Sequence, residues 1–600
     1  MVVDALSFRG RGVTCMLVER ISKPLTWGKL HLGRLQMGSL GNSFAERAAR
    51  SLMIPLVVLG LFLRARGYLF STISMWLDEA AWVGYLLEKP LLKSSVFRPI
   101  GFMAISKGLS DTLGPSEAVL RFMPWAAGIA ATLMAPFIAR RLFRSEASRL
   151  LFVAILALDP AAIDLSKEFK PYSVGIALHA GILLLALRYA ETRRTRDLAY
   201  LLALVFPASL FAQDSVFAYP GVFLLIAIES LRERRYRKLF ASAGVAALTA
   251  LLLGGSYYLM WRHIPKHDDQ DWGRKYDIFY VQPPTADGSE PPQTKTDWLV
   301  GRYAELAKLP GERRLLWTSR QVKSRTLSEL RSVDGVVWTA LNFAGIALIA
   351  SRRQWQKGLL LVLPLATMAT LNALGFWPFG PFRANAFVIV YMAGIASEVF
   401  DRNANRVVLG DLLPATALVL VPLFIFERGW HRQKEMTNVV APSAFATVIK
   451  DLVSLQGADY EGPKEMVIGD NWSCDPWRYY TRYNPRVTST MGHDLKRRFR
   501  LLCRKDMDRI LRSVRAQIRK GRRAWIVASN ENTIANLERD WPEDLEKTQL
   551  VHVEGATHLI VGVARATPKP VEPPPPPPEE QAPESEESGS FEMPSNSQLP

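Results

Sequence analysis

Ser166-Lys167-Glu168-Phe169-Lys170-Pro171-Tyr172-Ser173 joins two apolar runs, at about 149–165 and 171–189, and its reading decides the fold. Each run approaches the ~20 residues that a bilayer core requires. The link between them is too short to be a domain, so its charges lie close to a membrane surface. Ionised side chains at that depth are expensive and are functional candidates by default. A second charged group, Trp76-Leu77-Asp78-Glu79-Ala80, follows another apolar run by a few residues.

Working outward, apolar runs recur at roughly 50–70, 118–139, 149–165, 171–189, 198–213, 215–231, 239–261, 334–351, 357–375, 384–400 and 408–426. By the length rule that is about eleven spans. Asp159-Pro160 interrupts the third. Mean hydropathy is only +0.06 although 49% of residues are hydrophobic, so polar parts dilute membrane parts. The fold class expected is a polytopic α-helical membrane protein with a small C-terminal α/β extramembrane domain.

The net charge of +18 would suit nucleic acid, but much of it sits in short loops between apolar runs. There it sets topology instead, so nucleic acid is not an expected partner, whereas anionic membrane lipids are. Arg140, Arg141, Arg144 and Arg149 mark one loop, and Arg193, Arg194 and Arg196 the next of the same set. Arg232, Arg234, Arg235, Arg237 and Lys238, then Arg352, Arg353 and Lys357, then Arg402 and Arg406 follow, always in every second loop. The alternate loops, 213–219 and 375–383, are poor in Lys and Arg. The positive-inside rule places the N-terminus in the cytoplasm and 71–117, 262–333 and everything after about 427 outside. The expected home is a bacterial inner membrane.

Four regions follow: a basic cytoplasmic extension at 1–49, a membrane domain at 50–426, an outer α/β domain at 427–566 and an extended Pro-rich acidic tail at 567–600. No signal-peptide pattern stands at the N-terminus. Segment 71–117 holds two amphipathic pieces, near 78–89 and 99–112, the second placing Ile100, Met103, Ala104 and Leu109 near one helix face. Interfacial helices fit this pattern, as does an ordinary extramembrane subdomain. In the outer domain, 465–469, 524–528, 549–553 and 558–564 read as strands and 443–455 and 506–520 as helices. No Gly-rich phosphate loop marks it as a nucleotide domain.

Asp78 and Glu79 at the mouth of a span suit proton abstraction from a hydroxyl, or simply the first turn of a helix. Glu168 and Lys170 either serve a membrane-surface ligand or pair with each other. Arg383 ends Gly375-Phe376-Trp377-Pro378-Phe379-Gly380-Pro381-Phe382 and suits either a phosphate clamp or a snorkelling position. Cys474 and Cys503 share the outer domain, Cys474 preceding a helix-like segment and Cys503 beginning another. There a disulfide is favoured by an oxidising compartment, and two buried thiols are the alternative.

Taken together these segments resemble the integral-membrane glycosyltransferases of the GT-C class, in the branch with protein O-mannosyltransferases and lipid A aminoarabinose transferases. Asp78-Glu79 is similar to the acidic pair after the first span of that family. Leu165-Ser166-Lys167-Glu168-Phe169-Lys170-Pro171-Tyr172 is similar to its Tyr-Ser-Gln-Glu-Ala-Arg-Pro-Tyr stretch. Gly114-Pro115-Ser116-Glu117-Ala118-Val119-Leu120-Arg121-Phe122-Met123-Pro124 resembles its Gly-x-Ser-Glu-x-x-x-Arg-x-Pro element, and Trp377 to Arg383 its Tyr-Pro-Phe-Gly-x-x-Arg element. Two positions depart: Arg98-Pro99-Ile100 stands for His-Pro-Pro, and Lys170 for Arg. The likeness spans roughly 50–426 and is weaker around Tyr479-Tyr480.

The resemblance implies a transferase using a polyprenyl-phosphate sugar at the outer face, with a lipid, glycan or protein acceptor. Asp78 is the implied base, with Glu168 as a second catalytic carboxylate and Glu79 orienting the acceptor or a metal. Lys170, Arg383 and Arg98 are the implied donor-phosphate cations, and Tyr172 and Trp76 line the site. Mg or Mn suits carboxylates beside phosphate, and the sequence requires neither. A multi-span transporter or flippase and a non-catalytic envelope scaffold are the competing classes.

Overall fold

The computed structural model describes residues 44–69, 75, 77–91, 98–261, 295–307, 333–380, 382–401, 444–456, 464–485, 487–488, 495, 498–504, 506–528, 531–539, 541–552 and 559–565. The expected span at 408–426, the tail at 567–600, Trp76 and most of the N-terminal extension lie outside these residues. The other ten expected spans are helical. They comprise α1 (Phe44–Leu69), then α2 (Leu77–Glu88) and α3 (Ile100–Leu113) outside the spans, α4 (Glu117–Leu142), α5 (Glu146–Leu158), α6 (Pro160–Leu165), α7 (Tyr172–Thr192) and α8 (Thr195–Phe211). After a 3-10 turn at Gln213–Ala218 come α9 (Tyr219–Arg232), α10 (Tyr236–Trp261), α11 (Lys295–Ala307) and α12 (Val333–Ser351). A π turn at Gly358–Val362 leads into α13 (Leu363–Ala373), and a 3-10 turn at Arg383–Asn385 into α14 (Val388–Glu398). Among the described residues four segments are long and apolar enough to cross a membrane: Glu117–Leu142, Tyr172–Thr192, Gln213–Arg232 and Tyr236–Gly255.

The interruption at Asp159-Pro160 explains how the third span is built. Pro160 has no N–H to give to Leu156 O, so the helix must stop there. The Asp159 carboxylate accepts from Ala162 N at 2.7 Å and starts α6 with proline in its first turn, the arrangement favoured at helix N-termini. Arg64 on α1 takes over the stranded carbonyls. Its guanidinium donates to Leu156 O at 3.0 Å and Ala157 O at 2.6 Å. The two helices meet closely because residue 60 is Gly: a Cβ there would stand 2.6 Å from Ala157 O. Every residue from Ala147 to Leu158 except Arg149 is buried, as expected of a helix apolar on all sides.

The buried face of α3 differs from the expected one. Phe102, Met103, Ser106 and Ser110 are buried, whereas Ala104 is exposed and Ile105 is 45% exposed. Only Met103 of the expected set is fully covered. The helix carries apolar residues on two sides, and Gly101 lets its inner side approach Leu210 O of α8.

The C-terminal domain contains α15 (Ala444–Gln456), β1 (Glu465–Gly469), α16 (Asn471–Arg482), β2 (Phe499–Cys503), α17 (Met507–Ile518), β3 (Ala524–Ala528), α18 (Glu531–Arg539), β4 (Leu545–His552) and β5 (Leu559–Arg565). The sheet order is β2-β1-β3-β5-β4. β1 runs parallel to β2 and β3, and β5 pairs antiparallel with β3 and β4. Four strands fall where the short apolar runs put them. Edge strand β2 and helix α18 did not stand out, because basic residues flank the first and polar residues dominate the second, and α16 begins earlier than the helix expected after Cys474. Cys474 lies inside the helix it was expected to precede, and Cys503 ends a strand instead of beginning a helix. The two are joined by a disulfide with Cα atoms 5.9 Å apart.

This domain is seated on the first extramembrane segment. On α16 or just after it, Tyr480 OH accepts from Met75 N at 2.9 Å, Tyr479 OH donates to Pro115 O at 3.1 Å, and Asn484 donates to Glu117 at 2.8 Å. Tyr483 OH donates to Glu88 at 2.5 Å. The helix bearing Asp78 and Glu79 is thus covered from one side by the C-terminal domain.

Candidate active site

Asp78 and Glu79 occupy the first turn of α2, where the positive end of the helix dipole favours carboxylates. Adjacent residues on a helix point in different directions, and these two have different surroundings. Glu79 is 1% exposed and takes two bonds from Arg121: Nε to Oε1 at 2.9 Å and Nη2 to Oε2 at 2.6 Å. Its Oε1 also accepts from Phe169 N at 2.5 Å. Asp78 keeps 24% of its side chain exposed, and Lys170 Nζ lies 2.7 Å from its Oδ2. These contacts tie α2 to the 166–171 loop through two adjacent residues.

Lys170 is almost wholly enclosed. Its ammonium also sits 4.1 Å from the Trp82 ring centre. Burial pushes its pKa down to about 8, although Asp78 pulls it upward. Arg98 lies beside it, with its guanidinium 3.9 Å from the Tyr85 ring centre and 5.0 Å from that of Trp82. Burial brings Arg98 down to about 10. The cations on this side of Asp78 are therefore held on aromatic faces, which attract them.

Glu168 faces the other way and pairs with Arg383 at 2.9 Å. Burial raises its carboxyl to about 7 against the pull of Arg383. Arg383 is presented by a loop that Asn385 organises. Asn385 donates to Pro378 O at 3.0 Å and Gly380 O at 2.8 Å, and accepts from Trp377 Nε1 at 2.7 Å. Gly380 has φ +136, a backbone conformation open to glycine. Tyr172 lies near enough to Asp78, Glu168 and Arg383 for their charges to act on it.

One cluster therefore brings together Asp78, Glu79, Glu168, Lys170, Arg98, Arg383 and Tyr172. The alternative in which Glu168 pairs with Lys170 gives way to cross-pairing, Asp78 with Lys170 and Glu168 with Arg383. Glu79 is already committed to Arg121 and Phe169, so the geometry gives it a positioning role. Trp82 was not picked out from sequence, and Arg121 entered only as the arginine of a resembling motif, with no site role. The signal for Arg121 was present: an Arg four residues into a membrane span needs a buried carboxylate partner.

Each of the three carboxylates already faces a cation within hydrogen-bond distance. Among the described residues no group of three His, Cys, Asp or Glu is arranged to hold a metal ion.

Comparison with known proteins bears out the sequence resemblance over part of the chain. Residues 98–261 match the family profile described as dolichyl-phosphate-mannose-protein mannosyltransferase. That stretch contains Arg98, Arg121, Glu168, Lys170 and Tyr172. No curated protein matches the chain by sequence. Among solved structures, ArnT from Cupriavidus metallidurans in the apo state is 13% identical, over 86% of this chain and 98% of that one, with a TM-score of 0.46. The same protein bound to undecaprenyl phosphate is 14% identical over the same shares, with a TM-score of 0.41. The Archaeoglobus fulgidus oligosaccharyltransferase in the apo form is 12% identical, over 82% of this chain and 70% of that one, with a TM-score of 0.42. The functional reading rests on the matched segment and the site geometry.

Proposed function

We propose that this protein is an inverting glycosyltransferase that moves a sugar from a polyprenyl-phosphate donor to a hydroxyl acceptor at the outer face of the membrane. The observation that carries the reading is the Asp78–Lys170 pair, 2.7 Å apart and only partly open to solvent, in which Lys170 belongs to the segment that matches a sugar-transferring family and Asp78 precedes it. A carboxylate held by a displaceable cation is a base in waiting. An arriving donor phosphate competes for Lys170 and for Arg383, and Asp78 is released toward the acceptor.

The acceptor hydroxyl then gives its proton to Asp78 while its oxygen forms a bond to the anomeric carbon. The bond from that carbon to the phosphate oxygen breaks, and its electron pair leaves with polyprenyl phosphate. Attack opposite the leaving group inverts the anomeric centre. Charge grows on the departing phosphate, where fixed cations stabilise it most. Glu168 holds Arg383 in place, and Glu79 holds the start of α2 through Arg121. No step passes through a metal.

The test uses the full chain in proteoliposomes with a polyprenyl-phosphate-linked sugar and a mixed pool of lipid, glycan and peptide acceptors. Release of polyprenyl phosphate with an inverted glycoside supports the reading. Movement of the intact lipid-linked sugar across the bilayer without cleavage would make the protein a transporter, and neither outcome would leave a scaffold.

A further inference from the structure

A cleft of about 560 Å³ opens in the C-terminal domain, lined by Cys503, Arg504, Arg509, Arg512, Ser513 and Ala516. It lies between the end of edge strand β2 and one face of α17. Residues 509, 512, 513 and 516 recur at helical spacing on that face, while Ile510, Val514 and Gln517 turn toward the sheet and are buried. The volume is in the range of small-molecule sites.

Its charges are poorly neutralised. Arg504 donates Nε to Ser513 Oγ at 2.8 Å and Nη1 to Cys503 O at 3.1 Å. Arg512 donates Nε to Asp508 O at 3.3 Å. Both guanidinium groups are oriented by neutral oxygens, with no carboxylate partner among the described residues. Only Arg509 has one, the exposed Asp506 at 3.1 Å. Ser513 Oγ accepts from Arg504, so its own O–H remains to donate. The stretch 496–523 carries thirteen Lys and Arg against two Asp, so the surrounding potential is strongly positive.

We infer that this cleft is an anion subsite for a soluble phosphate monoester, of which a sugar phosphate is the probe. Arginine forks match phosphate oxygens in pairs, and two unneutralised arginines with a serine hydroxyl suit a dianionic phosphate monoester. α17 packs on the face of the sheet opposite α16 and α2, so the cleft is turned away from the Asp78 cluster and the helical bundle, which favours a soluble phosphate ester over a lipid headgroup. Its binding does not depend on the transferase reading, so failure of one leaves the other measurable.

The experiment is titration calorimetry on the detergent-purified full chain at low salt, without donor, using glucose 6-phosphate, glucose, and vesicles of phosphatidylcholine with or without phosphatidylglycerol. Glucose 6-phosphate is expected to bind and glucose not to bind. The Arg504→Ala/Arg512→Ala variant should lose at least tenfold in affinity. Arg512→Glu, on an exposed helix face where folding is spared, should abolish binding. Unchanged affinity in Arg512→Glu, absence of glucose 6-phosphate binding to the unaltered chain, or binding confined to phosphatidylglycerol vesicles would overturn the inference.

Discussion

Replacing Glu79 with Gln keeps the shape of the side chain and removes its charge. The pair it breaks is buried on both sides, with side chains 1% and 7% exposed. Removing one partner of such a pair destabilises by roughly 3–5 kcal/mol, because the other charge is left uncompensated. Gln retains an acceptor oxygen for Arg121 or Phe169 N–H, so Glu79→Gln should fall near the lower end, about 3 kcal/mol. A solvent-exposed pair would give no more than ~1 kcal/mol. The assay is SDS-induced unfolding of the full chain in mixed micelles. The double variant Glu79→Gln/Arg121→Gln should be less destabilised than the sum of the singles, by at least about 1 kcal/mol. A single-variant loss under ~1 kcal/mol, or strictly additive effects, would refute the view that this pair anchors α2.

Lys170→Ala and Arg383→Ala should each raise the donor KM more than tenfold, read by initial rates at varied donor; unchanged KM and turnover in both would remove them from phosphate binding. The Glu168 carboxyl is raised from its ordinary 4.5 to about 7, so between those values the folded chain holds a proton that the unfolded chain lacks. Stability should therefore fall as pH rises through that window, and Glu168→Gln should flatten the slope in thermal melts; an unchanged slope would contradict the assignment. For orientation, cysteines placed at Arg235 and Lys520 of a chain whose native cysteines are replaced should differ in intact cells. The second should react with an impermeant maleimide and the first should not, and the reverse pattern would invert the site's membrane side.

The helical bundle was legible because membrane spans advertise themselves by length, and ten of the expected spans are helices. The tail domain was legible where strands alternate or run apolar, as in β1 and β3, and illegible where an edge strand sits among arginines, as in β2. Asp78, Glu168, Lys170 and Arg383 could be found because charge beside a membrane span is costly. Who pairs with whom could not. Glu168 and Lys170 are two residues apart in sequence, yet each bonds a residue on a distant helix or loop, a choice made by the packing of α2 and the Asn385-held loop. Likewise Arg64, which completes the carbonyls stranded by Pro160, is visible only once α1 and α5 are seen together. The face of α3 was misread because apolar residues on both its sides leave helical periodicity without a single answer.

The most direct test of the site is turnover in Asp78→Asn, measured in proteoliposomes with saturating lipid-linked sugar and with expression, insertion and unfolding checked in the same preparation. Asn can still accept from Lys170 but cannot take the acceptor's proton. Loss of a general base lowers rates by ~10²–10⁴-fold, and that loss is expected here with the donor still bound. Turnover within a few-fold of the unaltered chain, in a folded Asp78→Asn protein, would contradict base catalysis by Asp78.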